Sequence, residues 1–242
     1  MTSASENVIK PKPSFILIND SKKFIEYQTA LESMEATVNS VNSGDEAETV
    51  WFLQHPEVYT AGTSANQQEL LSPNRFPVFK TGRGGKFTYH GPGQIVGYVI
   101  VNLQNQKKDV RAYIYKLETW LIKTLKVFGV VGERRLGRVG IWVASGNSIN
   151  GDPIDKKIAA IGVRIRNWIT FHGISLNVHP VLNHYDGIIP CGIKEHGVTS
   201  LADLGVKTEI EEVANVLKQN FEDTFECELL TKNNFLQKKE NK

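Results

Sequence analysis

Three apolar, strand-like runs follow one another between residues 139 and 178 with only turns between them. They are Val139 to Ala144, Lys157 to Arg166 and Trp168 to Val178, joined through Gly146-Asn-Ser-Ile-Asn-Gly-Asp152 and Arg166-Asn167. Strands joined by turns fold back on each other as antiparallel neighbours, whereas a doubly wound parallel sheet needs a helix at every crossover. Helical periodicity occurs elsewhere and without strict alternation. Phe24, Tyr27, Leu31, Met34, Val38 and Val41 form one apolar face that ends at Asn42-Ser-Gly-Asp45. Val110, Ile114, Leu117, Leu121, Leu125 and Phe128 form a second, and Ile210, Val213, Leu217 and Phe221 mark a last helix that closes the domain. Val50-Trp-Phe-Leu53, Val78-Phe79 and Ile95 to Leu103 read as further strands. The pattern predicts an α+β fold, with helices packed on a mixed or largely antiparallel sheet.

No internal repeat and no low-complexity linker divides the 242 residues, and 40% hydrophobic content suits one large domain. We expect that domain over 14–230, with a disordered extension over 1–13 and a polar tail over 231–242. A net charge of +2, without a basic stripe, gives no reason to expect nucleic acid as a partner. No apolar run reaches membrane-spanning length, so no membrane partner is expected. The start of the chain lacks an apolar signal region and carries Glu6. Two cysteines, Cys191 and Cys227, make no disulfide framework, and a reducing compartment, the cytoplasm, is expected.

The chemistry concentrates in three places. Lys80 to Gln94 packs Gly82, Gly84, Gly85, Gly91 and Gly93 around Arg83, Lys86, Thr88, Tyr89 and His90. Glycine lets a backbone approach a ligand closely. The run matches neither the phosphate loop G-x-x-x-x-G-K-[ST] nor the dinucleotide fingerprint G-x-G-x-x-G. It is either a turn or a ligand loop, and Thr88-Tyr-His90 favours the second. Cys191 stands between Pro190 and Gly192, in a bend that presents a side chain, while Cys227 has acidic neighbours and reads as structural. Lys156-Lys157 opens an apolar run, and pattern alone does not choose between the two lysines. His172, His179, His184 and His196 gather near Cys191, but their spacings match no zinc pattern and no metal is expected.

These segments together resemble the lipoyl(octanoyl) transferase family. The likeness runs from His55-Pro56 and Val58-Tyr-Thr60 through Arg83 to Gln94, Val139-Gly-Ile-Trp-Val143, Lys157 to Arg164, Phe171-His-Gly173, Leu176-Asn177 and Pro190-Cys-Gly192. It implies a domain like the biotin and lipoate protein ligases. It further implies octanoyl-acyl-carrier protein as donor, with a lysine on lipoyl domains of 2-oxoacid dehydrogenases and of the glycine cleavage H protein as acceptor, and no cofactor. The family's acyl-thioester cysteine falls on Cys191 and its activating lysine on Lys157, since Ile158-Ala159 fixes the register. Its acyl-pocket residues fall on Arg83, Gly84, Gly85, Lys86, Phe87, Thr88, Tyr89 and His90, then Ala160, Ile161 and Gly162, then Gly173, Ile174 and Ser175. Lys86 departs from the uncharged polar residue often found there. His90 and His172 are expected to shape the pocket. Three rivals stand beside this reading. An ATP-dependent ligase of the same fold would not need Cys191, a non-catalytic acyl-carrier-binding module would tolerate loss of the thiol, and a thiol hydrolase would release free acid.

Overall fold

The computed structural model describes residues 12–106, 108–148, 150–189 and 197–240. Strands β8 (Arg138–Asn147), β9 (Pro153–Arg166) and β10 (Ile169–Asn177) pair antiparallel in succession, as their short connections require. The β9–β10 turn places Asn167 and Trp168 at φ of 52° and 65°, the positive values of a two-residue primed turn.

Around this meander the main sheet grows in both directions. β6 (Gln94–Ile100) pairs antiparallel with β10 and with β2 (Thr49–Gln54). β1 (Ser14–Phe24) and β12 (Glu228–Leu230) extend that side by parallel pairing. β7 (Glu133–Arg135) ends the other side, giving the order β12-β1-β2-β6-β10-β9-β8-β7 among the described residues. β11 (Gly197–Val198) runs parallel to β9 beyond the end of β10. A smaller sheet holds β4 (Val78–Lys80), β3 (Val58–Ala61) and β5 (Phe87–His90) in the order β4-β3-β5. The fold is α+β with a mixed sheet, as the sequence predicts.

Both faces of the main sheet are covered, which explains the unbroken apolar run in β2. Successive strand residues point to opposite faces. Val50 and Phe52 accordingly join the core beneath helices α2 (Val110–Val127) and α3 (Ile210–Phe225). Trp51 and Leu53 join a second core beneath α1 (Tyr27–Ser43). Leu117, Trp120 and Leu121 of α2 meet Leu217 and Phe221 of α3 with no residual exposure, each side chain contributing roughly 1.5–3 kcal/mol by burial. A hydrogen bond of 2.8 Å from Trp120 Nε1 to the Leu217 carbonyl fixes the pair.

Three stretches differ from expectation. Residues 21–24 continue β1 instead of starting the helix, and Phe24 is exposed. The register of β1 against β2 shifts between Asn19 and Phe24, which hides the strand's alternation, and Phe24 falls in phase with the helix by accident. The run from Ile95 stops as strand at Ile100, and Leu103 begins a short 3₁₀ turn. β12 and a helix α4 (Lys232–Glu240) follow α3, with Lys238 Nζ donating to Ser14 Oγ at 2.9 Å and pairing with Glu228.

Candidate active site

Where the middle of the main sheet meets the small sheet, a cavity of about 340 Å³ lies open on one side. Every pocket residue expected from sequence except Tyr89 lines it, and so does Lys157. Tyr89 faces away because β5 alternates: Thr88 and His90 look into the cavity while Tyr89 packs among Tyr59, Phe76 and Tyr185. Its hydroxyl lies 2.8 Å from His184 Nδ1. Cys191, with Pro190 and Gly192, lies outside the described residues.

The glycine-rich loop is a cradle built around one buried arginine. Arg83 Nη2 donates to the carbonyl and hydroxyl oxygens of Thr60, both at 2.8 Å, and Nη1 donates to the Gly84 carbonyl at 3.0 Å. The Gly84 N–H reaches the Val163 carbonyl of β9 at 2.9 Å, so the loop is stitched to the cavity floor. Gly85 holds φ at +89°, a conformation that L side chains rarely adopt. Gly162 sits beneath the arginine, where a Cβ would come within 2.9 Å of Arg83 Cδ. Lys86 pairs with Glu69, whose own carbonyl accepts from the Ile189 N–H at 2.8 Å. The charge that departs from the family pattern thus ties the loop to the turn that holds residue 189.

At one end the cavity is walled by rings. Tyr27 packs on His55 and Phe79, with centroids 5.1 and 5.2 Å away, and stacks at 11° on His90. His55 Nδ1 lies 2.6 Å from the Ile25 carbonyl and Nε2 lies 2.7 Å from the Tyr98 hydroxyl. A carbonyl only accepts, so Nδ1 carries the proton and Nε2 takes a hydrogen bond from Tyr98. Burial pushes His55 down to about 4, and burial, reinforced by Arg83, pushes His172 down to about 3. His90 also falls to about 3, by burial first and then by His55. All three rings are therefore neutral at physiological pH. His172 has φ of +60° inside β10, and its N–H meets Met34 Sδ at 3.0 Å. Such strain persists only where surrounding packing enforces it.

Lys157 occupies the other end. Its ammonium donates to the Val139 carbonyl at 3.1 Å and lies 4.5 Å from the Trp142 ring centroid. Trp142 also carries the Arg138 guanidinium, 4.7 Å from the same centroid. The buried Asp155 holds Arg135 through two hydrogen bonds of 2.8 and 2.9 Å and Arg138 through one of 2.7 Å. These guanidiniums, Arg135 first, hold its carboxyl below the usual range. Lys156 points elsewhere, 3.7 Å from Asp203. β11 lies in register with this end, Val198 opposite Lys157, and the Thr199 N–H binds the Lys157 carbonyl at 2.9 Å. The strand that follows the cysteine-bearing segment is thereby pinned beside the lysine. Cys227 is buried in the main core, and its thiol is pushed up to about 12 by burial.

Tyr27, His55, Tyr98, Arg138 and Trp142 belong to this site or its walls and were not singled out as site residues from the sequence. His55 and Trp142 did fall within segments of the family likeness, which was their only signal. Among the described residues, no three His, Cys, Asp or Glu side chains gather as metal ligands, and no helix is long and apolar enough to cross a membrane.

Comparison with known proteins bears on this geometry. A family model described as "Lipoyl protein ligase A/B catalytic domain" matches residues 26–222. An octanoyltransferase of Brucella suis biovar 1 is 52% identical over 203 residues, covering 83% of this chain and 76% of that protein. One from Parvibaculum lavamentivorans is 55% identical over 201 residues, covering 83% and 88%. Among solved structures, a lipoate-protein ligase A bound with ATP superposes with a TM-score of 0.67 at 18% identity, over 91% of this chain and 88% of that one. A structure from the bipartite lipoate protein ligase system of Thermoplasma acidophilum gives 0.65 at 16% identity, over 92% and 87%. These last two likenesses are of fold.

Proposed function

Since the chain belongs to the lipoyl protein ligase A/B catalytic-domain family, we propose that it is an octanoyltransferase working through an acyl-cysteine intermediate. It takes the octanoyl group from octanoyl-acyl-carrier protein and passes it to a lysine of lipoyl domains, those of 2-oxoacid dehydrogenases and the glycine cleavage H protein. The observation that carries this reading is the 340 Å³ slot, with uncharged rings at one end and a buried lysine at the other. It has the concave, mostly apolar lining of a small-molecule site and a few placed polar groups. The catalytic unit spans 14–230.

The chemistry follows from the lysine. An unperturbed thiol is only about 3% thiolate at neutral pH, so a neighbouring ammonium that favours the thiolate raises the population of the nucleophile. Cys191 attacks the donor carbonyl carbon, the new S–C bond forms, and the carrier's thiol leaves and takes up a proton. The acceptor amine then attacks the thioester and loses a proton, Cys191 departs as thiolate, and Lys157 is the group that manages that proton. Main-chain N–H groups at Cys191 and Gly192 are assigned to the developing oxyanion. A free thiol of this kind suits the reducing cytoplasm.

Intact-protein mass spectrometry after mixing with octanoyl-acyl-carrier protein tests the proposal. One octanoyl adduct is expected on the wild-type chain and none on Cys191→Ala. An adduct that survives in that variant, or maps to Cys227, overturns the assignment. Acylation of a lipoyl domain from free octanoate plus ATP would instead make the chain a ligase.

A further inference from the structure

We infer that Tyr27 sets the length of the acyl chain by closing the far end of the slot, an inference that rests on the octanoyl-transfer reading above. The two ends are distinguishable on the sheet. A small second cavity adjoins Lys157, Thr88, Ala160 and Asn177, marking Ala160 and its partner Ser175 as the reactive end. From there the β9–β10 register runs through Ile161 opposite Ile174 and Gly162 opposite Gly173 to Val163 opposite His172.

Ala160 to Val163 is three residue steps along one strand. At a rise of about 3.3 Å per residue this floor is about 10 Å long. Eight carbons in extended zigzag, with C–C bonds of about 1.5 Å, span about 9 Å. The chain therefore fits once extended and ends against the wall formed by Tyr27, Tyr98, His90 and His172.

That wall is stiff except at one ring. The Tyr98 hydroxyl is tied to His55, and the other nitrogen of His55 is tied to the Ile25 carbonyl. His90 Nδ1 lies 2.6 Å from Gln94 Oε1. The His172 backbone is held at positive φ between β9 and Met34. Tyr27, the first residue of α1, packs by its ring alone, and its hydroxyl makes no hydrogen bond among the described residues. Its size can change without unpairing a polar partner. The histidines beside it are neutral, so the rings themselves present uncharged surface to a methyl terminus, while the nearby Arg83 guanidinium is engaged by Thr60 and Gly84. A smaller residue at 27 lengthens the slot, and a larger one shortens it.

The test compares transfer of hexanoyl, octanoyl, decanoyl and dodecanoyl groups from acyl-carrier protein to an apo lipoyl domain, as kcat/KM for each chain. Tyr27→Leu should accept decanoyl, and Tyr27→Trp should move the optimum to hexanoyl. Each buried methylene is worth about fourfold, so two should change the octanoyl-to-decanoyl ratio about fifteenfold in Tyr27→Leu. The opposite shift in Tyr27→Trp guards against a variant that merely folds poorly, because lost stability lowers all chains together. Wild-type transfer of octanoyl with unchanged chain-length profiles in both variants overturns the inference and leaves the proposed function standing. A wild-type protein that transfers none of the four chains overturns both.

Discussion

The neutral histidines around the cavity make the fold sensitive to mild acid in a window where most proteins are indifferent. His55 titrates near 4 and His172 near 3 in the folded chain, against about 6.5 when unfolded. A group depressed by folding lets the unfolded chain bind more protons, so stability is complete above the unfolded value and is lost as pH falls below it. Between pH 7.5 and 5.0 each of these two rings should cost about 2 kcal/mol. His90 shifts in the same direction and adds a similar loss. Glu48, raised to about 7 by burial, runs the other way and returns about 2 kcal/mol as it gains its proton before the unfolded chain does. The net expectation is a loss of about 4 kcal/mol, read from urea unfolding at pH 7.5, 6.5 and 5.0. Asp155 and Glu228, both held below the usual carboxylate range, do not interfere there, because their contribution is lost only as pH falls through still lower values. His55→Gln should reduce the loss by about 2 kcal/mol, since glutamine takes up no proton. Parallel pH profiles for wild type and His55→Gln would refute the reasoning.

Two further perturbations separate the ends of the site. Gly85→Ala should lower the unfolding free energy read from urea titration by about 1–2 kcal/mol, since an L side chain must then adopt φ of +89°. Gly84→Ala should leave it unchanged, because the new Cβ meets only the Val163 carbonyl at 3.6 Å. Lys157→Met should slow alkylation of Cys191 at neutral pH and move its pH dependence towards the ordinary thiol value of about 8.5. Lys156→Met, which removes only a 3.7 Å ion pair with Asp203, should not. Lys157→Arg keeps the charge without a usable neutral form, so acylation that survives without turnover would assign the lysine to proton transfer.

The parts of the fold written in one stretch of sequence were legible. Helix α2 and the β8–β9–β10 meander each carry their own periodicity and their own turns. β1 was not, because its irregular register breaks the alternation that identifies a strand. The three- and four-residue strands of the small sheet are too short to show a period, and they gain their core from Tyr185 and Ile188, about a hundred residues away. The site divides in the same way. Its glycine loop and floor strands are local motifs, whereas the ring wall assembles Tyr27, His90, Tyr98 and His172 from four separate elements and His55 from the loop after β2. Periodicity did not separate the two lysines; the family likeness chose Lys157, and strand alternation sends it into the cavity and Lys156 towards Asp203.

The pairing of β1 with β12 makes the edge of the main sheet depend on the order of synthesis. Ser14 to Ile16 emerge from the ribosome more than two hundred residues before Glu228 to Leu230, their hydrogen-bonding partners. Until then β1 presents an unpaired row of N–H and C=O groups beside an apolar face, the kind of edge that recruits other chains. Slow translation, or a stop shortly before residue 228, should therefore favour aggregation even though the cavity and both of its ends are already encoded upstream. A fusion partner at the C-terminus that delays release of those three residues would prolong the same exposure.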